Sequence, residues 1–247
     1  VTAVKRKPAR RGSAFHLSKS ANWGTPRPII DLGRSVLGEI DFDAASDATW
    51  NAIIGAREFY DGSAGRNLIA GDPLPKGVRR VFTNSPGDAS GEIVRMFWFR
   101  LVELWVQRVI DSLWWVGFSL EQFLSLQKLP DGSPSPWPSP LSCCAATLIG
   151  RRRWRYLQVV DGVVVPGGKP THGSYVTLLP SHDAAERRDQ LAIMRAAGHR
   201  LGELIIRPHN DGEVDEAPVR GPLELAAEAA AARVAMDRRA AARRMAA

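Results

Sequence analysis

Apolar positions along this chain come in short blocks whose spacing alternates between helical and extended periods. Residues 26–37 read as a short helix opened by Thr25-Pro26, with the threonine capping and the proline at the first helical position. Glu39-Ile40-Asp41-Phe42-Asp43 alternates polar and apolar residues and predicts a strand. It ends in the small run Ala44-Ala45-Ser46, where the chain would turn into a helix over 48–56. A second short strand is predicted over 57–60, closed by Asp61-Gly62. Residues 61–77 repeat Gly, Pro and Asp and form an irregular connection, before a strand over 78–83 runs into Asn84-Ser85-Pro86-Gly87.

Helix and strand then alternate again. Residues 92–112 carry Ile93, Phe97, Leu101, Leu104 and Val109 at helical spacing, and 113–118 is an apolar strand. The proline-rich stretch 130–140 excludes regular structure. Beyond it, strands are expected over 141–149, 153–160 and 174–179, the last two separated by a Gly/Pro-rich, hairpin-like excursion. A helix over 184–197 and a final strand over 201–206 close the pattern, which predicts an α/β fold with a mostly parallel central sheet and flanking helices. From 222 onward Ala, Arg and Glu dominate, and Leu223, Leu225, Val234, Met236 and Met245 are too sparse for a core of their own. The organisation expected is a basic arm over 1–15, one domain over 16–210, and a linker with a C-terminal helix over 211–247.

The 247 residues are 45% hydrophobic and 24% charged, enough for one sizeable core. A net charge of +7 points to polyanionic partners such as nucleic acid, although Arg-heavy proteins without that function exist. Lys5, Arg6, Lys7, Arg10 and Arg11 form an arm without acidic residues that either tracks phosphates or only solubilises. Arg151, Arg152 and Arg153 are the densest internal basic run and are favoured as a phosphate contact over a solvated turn. Cys143 and Cys144 are adjacent, poorly placed for a structural disulfide, and read as small apolar residues in a strand. His16, His172, His182, His199 and His209 show no ligand spacing, so no metal is expected. No apolar run reaches a membrane span and no signal-like segment opens the chain, so the bacterial cytoplasm is the expected compartment. Neither a G-x-S-x-G elbow nor a P-loop nor a CxxC pair is present, which removes serine hydrolase, P-loop and zinc-deaminase chemistry.

In an open α/β sheet, ligands bind in the crevice beyond the strand carboxyl ends. Both Asp43-Ala44-Ala45-Ser46 and Asn84-Ser85-Pro86-Gly87 are expected to emerge there. A carboxylate after the first strand can orient a charged amino acid or a ribose, while the second loop addresses the substrate.

These residues also carry a family likeness. Trp23-Gly24-Thr25-Pro26, then Asp41-Phe42-Asp43-Ala44-Ala45-Ser46-Asp47, Asn51-Ala52, Tyr60, Asn67-Leu68, and Val81-Phe82-Thr83-Asn84-Ser85-Pro86 resemble the Dam DNA N6-adenine methyltransferases of phages and prophages. The pattern there is W-x-T-P, D-x-D-A/P-A-A/S, N-A, and a strand ending N-P-P-Y. Gly150-Arg151-Arg152-Arg153-Trp154-Arg155-Tyr156 and the stretch 169–176 are similar to two later strands of that family. The resemblance covers roughly residues 16–207 and implies a Rossmann-like fold, S-adenosylmethionine as methyl donor and double-stranded DNA as partner, with no metal.

By this resemblance Asn84 would accept a hydrogen bond from the adenine amine, Ser85 would contribute its carbonyl, and Pro86 would shape the loop. Trp23, Thr25, Pro26, Asp43 and Ala44 would line the S-adenosylmethionine site, with Asp61 as a candidate for its ribose. The target base would leave the duplex and stack on an aromatic residue. Here Ser85 replaces the first proline, and Gly87 replaces that aromatic. Of the available tryptophans, Trp98, Trp114, Trp115 and Trp137, the last lies in the proline-rich loop and is the best replacement platform. Two other readings stay open: a methyltransferase fold with lost or altered chemistry that serves as a DNA-binding or partner-binding module, and an enzyme that modifies another base or amine.

Overall fold

Ser112 to Gly117 is buried at every position, which requires a central strand with a packed layer on each face. The computed structural model, which describes residues 23–87, 91–129, 132–135, 137–138, 140–167 and 172–206, has this arrangement. In chain order the elements are α1 (Arg27–Leu37), β1 (Phe42–Asp43), α2 (Ala48–Ile54), β2 (Glu58–Phe59), β3 (Arg80–Thr83), α3 (Glu92–Val106) and β4 (Ser112–Gly117). Two single-turn helices follow, α4 (Gln122–Ser125) and α5 (Pro140–Cys143), then β5 (Ala146–Gly150), β6 (Leu157–Val160), β7 (Val163–Pro166), β8 (Tyr175–Leu179), α6 (Ala184–Gly198) and β9 (Gly202–Ile206). Seven strands form one sheet in the order β2-β1-β3-β4-β8-β5-β9, and β6 with β7 makes a separate hairpin.

Alternation along the strands divides the core in two. Val81, Leu113, Trp115, Tyr175 and Leu179 face α3, where Trp115 meets Trp98 edge to face with ring centres 5.2 Å apart. Phe82, Trp114, Val116, Val176 and Leu178 face the other way, onto Ile29 and Ile30 of α1 and Leu191 and Met194 of α6. The result is a helix–sheet–helix sandwich, with α3 on one face of the sheet and α1 and α6 on the other.

Strands β2, β1, β3 and β4 are parallel. The second half of the sheet departs from the mostly parallel expectation, because β8 pairs antiparallel with both β4 and β5, and β9 pairs antiparallel with β5. The cause is the connection: a parallel neighbour needs a crossover of a dozen or more residues, usually helical. Among the described residues between β5 and β8 the regular structure is the β6–β7 hairpin and no helix, and β8 comes back antiparallel beside β5. Where α6 supplies a crossover, β9 runs in the same sense as β8.

Several local boundaries differ from the sequence pattern. The helix expected over 92–112 stops at Val106, where Arg108 takes a left-handed φ of 58° and the N–H groups of Val109 and Ile110 both turn back to the Leu104 carbonyl. Ser112 therefore already belongs to the sheet. Cys143 ends α5 and Cys144 precedes β5, so the pair is apolar filling ahead of a strand and not part of it. Thr25 does not cap α1: Pro26 holds the N-cap position and no side chain bonds there. The arm over 1–15, the tail over 211–247 and the stretch 169–171 lie outside the described residues.

By contrast α2 is capped in full, with Asp47 Oδ1 accepting from the N–H groups of Thr49 at 2.8 Å and Trp50 at 3.0 Å. Asp47→Ala should cost about 1 kcal/mol. In a domain of this size that corresponds to a fall in melting temperature of roughly 2–4 °C, measurable by scanning calorimetry.

Candidate active site at the sheet's switch point

The chain leaves β1 to one side to form β2, then crosses back to place β3 on the other side. That reversal creates a crevice at the carboxyl ends of β1 and β3, the position where open α/β sheets bind ligands. Asp43 ends β1 and Asn84 follows β3. The Ala44 N–H donates to the Phe82 carbonyl at 3.1 Å and fixes the two loops side by side.

Within Asp41-Phe42-Asp43 the two carboxylates have separate tasks. Asp41 Oδ2 accepts from the backbone N–H groups of Arg79 at 2.9 Å and Arg80 at 2.8 Å, and its Oδ1 lies 3.2 Å from the Arg57 guanidinium. It staples the start of β3 to β1. Asp43, at the opposite end, is fully buried; its Oδ1 accepts from the Ala45 N–H at 3.2 Å and its Oδ2 has no hydrogen-bond partner among the described residues. Burial drives its pKa up to about 7, only partly offset by the Ala45 N–H and the Ser46 hydroxyl, and Asp47 nearby adds to the rise. A buried carboxyl oxygen without a partner is costly in the empty protein and becomes favourable when a donor arrives. Thr25 Oγ1, Thr83 Oγ1 and Ser85 Oγ, on the segments around these strand ends, are also buried without hydrogen-bond partners among the described residues.

Asn84 is held in one sense. Its Nδ2 donates to the Trp23 carbonyl at 2.9 Å. A carbonyl can only accept, so the amide nitrogen must face Trp23 and Oδ1 is the atom left to receive a donor. Trp23 is itself clamped. Its ring fills the space a side chain on Gly167 would need, 2.3 Å from that Cβ position, and Gly24 exchanges backbone hydrogen bonds with Leu157 of β6 at 2.9 and 2.7 Å. Gly24 in turn admits the Trp50 ring of α2, 2.2 Å from where a Cβ would stand. Trp23-Gly24-Thr25 thus forms a wall between the hairpin and the Asn84 loop.

No protein-family model matches the chain, and neither the curated proteins nor the solved structures contain a match to it.

Of the residues singled out in the sequence, Trp23 is bonded to Asn84 and Ala44 to the Phe82 carbonyl two residues before Asn84; Thr25, Asp43, Ser85 and Pro86 adjoin these contacts along the chain, with Pro26 at the start of α1. Asp61 follows β2 on the same rim; its exposed carboxylate accepts from the Ser63 hydroxyl and N–H, which hold its pKa below the ordinary value. Three other members of the resemblance are structural. Asn51 ties off α2 through Ala56, Asn67 caps the turn at Leu68–Ala70, and Tyr60 bonds to the Pro73 carbonyl beneath Phe42.

Arg151, Arg152 and Arg153 follow β5 at the same rim, three strands from β3, or roughly 14 Å at the usual strand spacing. Arg151 is paired with Glu203 of β9 at 2.5 Å, and all three are exposed. Trp137 is partly buried against the α3-side core, near Pro138, whose carbonyl accepts from Trp98. Packing against that core accounts for its position. Trp98, Trp114 and Trp115 are wholly buried core residues. Phe118, at the end of a predicted strand, carried no signal in the sequence but lies beside Gly87. Among the described residues there is no group of three or more His, Cys, Asp or Glu side chains fit to hold a metal, and no helix long and apolar enough to cross a membrane.

Proposed function

We propose that the protein transfers a methyl group from S-adenosylmethionine to the exocyclic amine of adenine in double-stranded DNA. The observation that carries this reading is the orientation of Asn84, whose Nδ2 is committed to the Trp23 carbonyl so that Oδ1 remains as an acceptor in the loop after β3, the neighbour of the strand that ends in the buried Asp43. An acceptor held in place before the substrate arrives needs no reorganisation, which is how a polar site lowers a barrier. When bound, S-adenosylmethionine supplies an electrophilic methyl carbon. Asn84 Oδ1 and the Ser85 carbonyl would accept hydrogen bonds from the two N–H groups of the amine and turn its nitrogen lone pair toward that carbon; the N–C bond would form as the C–S bond breaks to leave S-adenosylhomocysteine, with one amine proton released to solvent.

The residues present fit such a donor. The unpartnered Oδ2 of Asp43 suits a hydroxyl or ammonium donor, and the exposed Asp61 suits a ribose edge. Trp23 and Thr25 close the crevice from the side of the hairpin. The arginines after β5 supply positive charge on the same rim for a phosphate backbone, which fixes orientation without reading sequence. Titration of S-adenosylhomocysteine by calorimetry, followed by transfer of labelled methyl groups to unmethylated genomic duplex DNA, tests the reading. Binding together with label recovered as N6-methyladenine is the expected result. No heat at millimolar ligand would refute the donor site, and label in another base would refute the adenine assignment alone.

A further inference from the structure

Gly87 stands where an aromatic residue would be expected to face the target base, and its surroundings say why a glycine is there. Its backbone is not in the left-handed region, so conformation does not demand glycine. Space does. A Cβ at position 87 would lie 2.7 Å from Cζ of Phe118, closer than real Cβ atoms come to a ring, and 3.2 and 3.4 Å from its two Cε atoms, so the ring would have to shift to admit it. Phe118 follows directly on β4, the parallel neighbour of β3, in the register that pairs Thr83 with Trp115. Its ring therefore reaches from the carboxyl end of one strand into the loop that leaves the next. Phe118 is only half-buried, bordering both halves of the core, whereas the tryptophans of β4 are fully enclosed.

We infer that Phe118 is the aromatic wall of the acceptor pocket, supplied by the end of β4 in place of a residue at position 87, and that it stacks on a planar purine ring held by Asn84. The inference rests on the proposed adenine chemistry and names the group that would hold the base. Aromatic stacking of a base is worth about 1–3 kcal/mol, or about 5–150-fold in affinity.

The test uses 2-aminopurine riboside as probe, followed by fluorescence anisotropy on the full chain saturated with S-adenosylhomocysteine, whose own affinity is measured separately by calorimetry. Phe118→Leu keeps apolar volume but removes the flat face. It should weaken probe binding by about 5–150-fold with S-adenosylhomocysteine affinity unchanged, while Phe118→Trp should keep the probe. Gly87→Phe alone should lower the melting temperature through its clash with Phe118. The exchange variant Phe118→Gly with Gly87→Phe should recover both stability and probe binding, because one ring then occupies the same space from the other strand. Equal probe affinity in the wild type and Phe118→Leu would overturn the inference and leave Phe118 as packing. So would a wild type that binds S-adenosylhomocysteine but no purine at millimolar concentration. Failure to bind S-adenosylhomocysteine would instead strike the donor site, and with it the reading on which the inference rests.

Discussion

Asn84→Ala is expected to slow methyl transfer by roughly 10²–10³-fold, the loss typical when one preorganised polar group is removed from a reacting centre. The side chain makes two contributions that substitutions can separate. Its Nδ2 holds the Trp23 carbonyl, a structural contact, and its Oδ1 is the proposed acceptor for the amine. Asn84→Asp keeps an acceptor oxygen but places negative charge against the Trp23 carbonyl, so it should lose the first contribution and retain part of the second. The expected order of single-turnover rates is wild type, then Asp, then Ala. An alanine variant that keeps the wild-type single-turnover rate would remove Asn84 from the chemistry. If Asp and Ala fall together, the contact to Trp23 matters more than acceptance of the amine. Calorimetric affinity for S-adenosylhomocysteine in each variant separates the two, since a displaced Trp23 wall would weaken it.

Much of the first half of the fold was legible because its signals are local. Val81-Phe82-Thr83 is a run of β-branched and aromatic residues that leads into a Pro/Gly loop, and it forms β3 with Asn84 at its carboxyl end. Asp41 and Asp43 read alike in the sequence. Only the register of β1 against β3 separates a carboxylate that staples backbone from one with an unpartnered oxygen. The antiparallel second half was not legible, since strand direction depends on what the connection can build. Its hairpin did leave a trace: Asp161-Gly162, at φ 50° and 76°, is the Asp-Gly turn that joins two twisted strands, here Val159-Val160 and Val163-Val164.

The reading of Gly87 shows the same limit at the site. Along the sequence it is a missing aromatic, and Trp137 was the natural replacement because prolines kept it out of regular structure. In three dimensions Trp137 has a packing partner, and a nearer ring arrives from Phe118, 31 positions further on than Gly87. Nothing in the spacing of 87 and 118 betrays this. It follows from β3 and β4 being adjacent and parallel, which brings their two carboxyl-end loops together.

Asp43→Asn should make the ligand-free protein more stable at about pH 8 while abolishing its affinity for the methyl donor. The folded-state pKa of Asp43 is about 7 against an ordinary value of 3.8. The folded chain therefore holds a proton that the unfolded chain has released between those values. Stability from this group is complete below about pH 4, declines as pH rises toward 7, and is level above it. The shift corresponds to about 4 kcal/mol of disadvantage for the ionised folded form. Asparagine does not titrate, so the variant's melting temperature should be flat with respect to this group between about pH 4 and 7, where the wild type falls. A buried amide without a full set of partners returns about 1–3 kcal/mol of that gain, leaving a net stabilisation at high pH. An incoming donor that meets Oδ2 favours the ionised carboxylate, so wild-type affinity should rise with pH up to about 7 and binding below it should release a proton. Melting curves across pH, and binding heats in buffers of different ionisation enthalpy, measure the two effects. A variant destabilised equally at all pH values would mean that the Asp43 carboxylate supports the fold and is not held in readiness for a ligand.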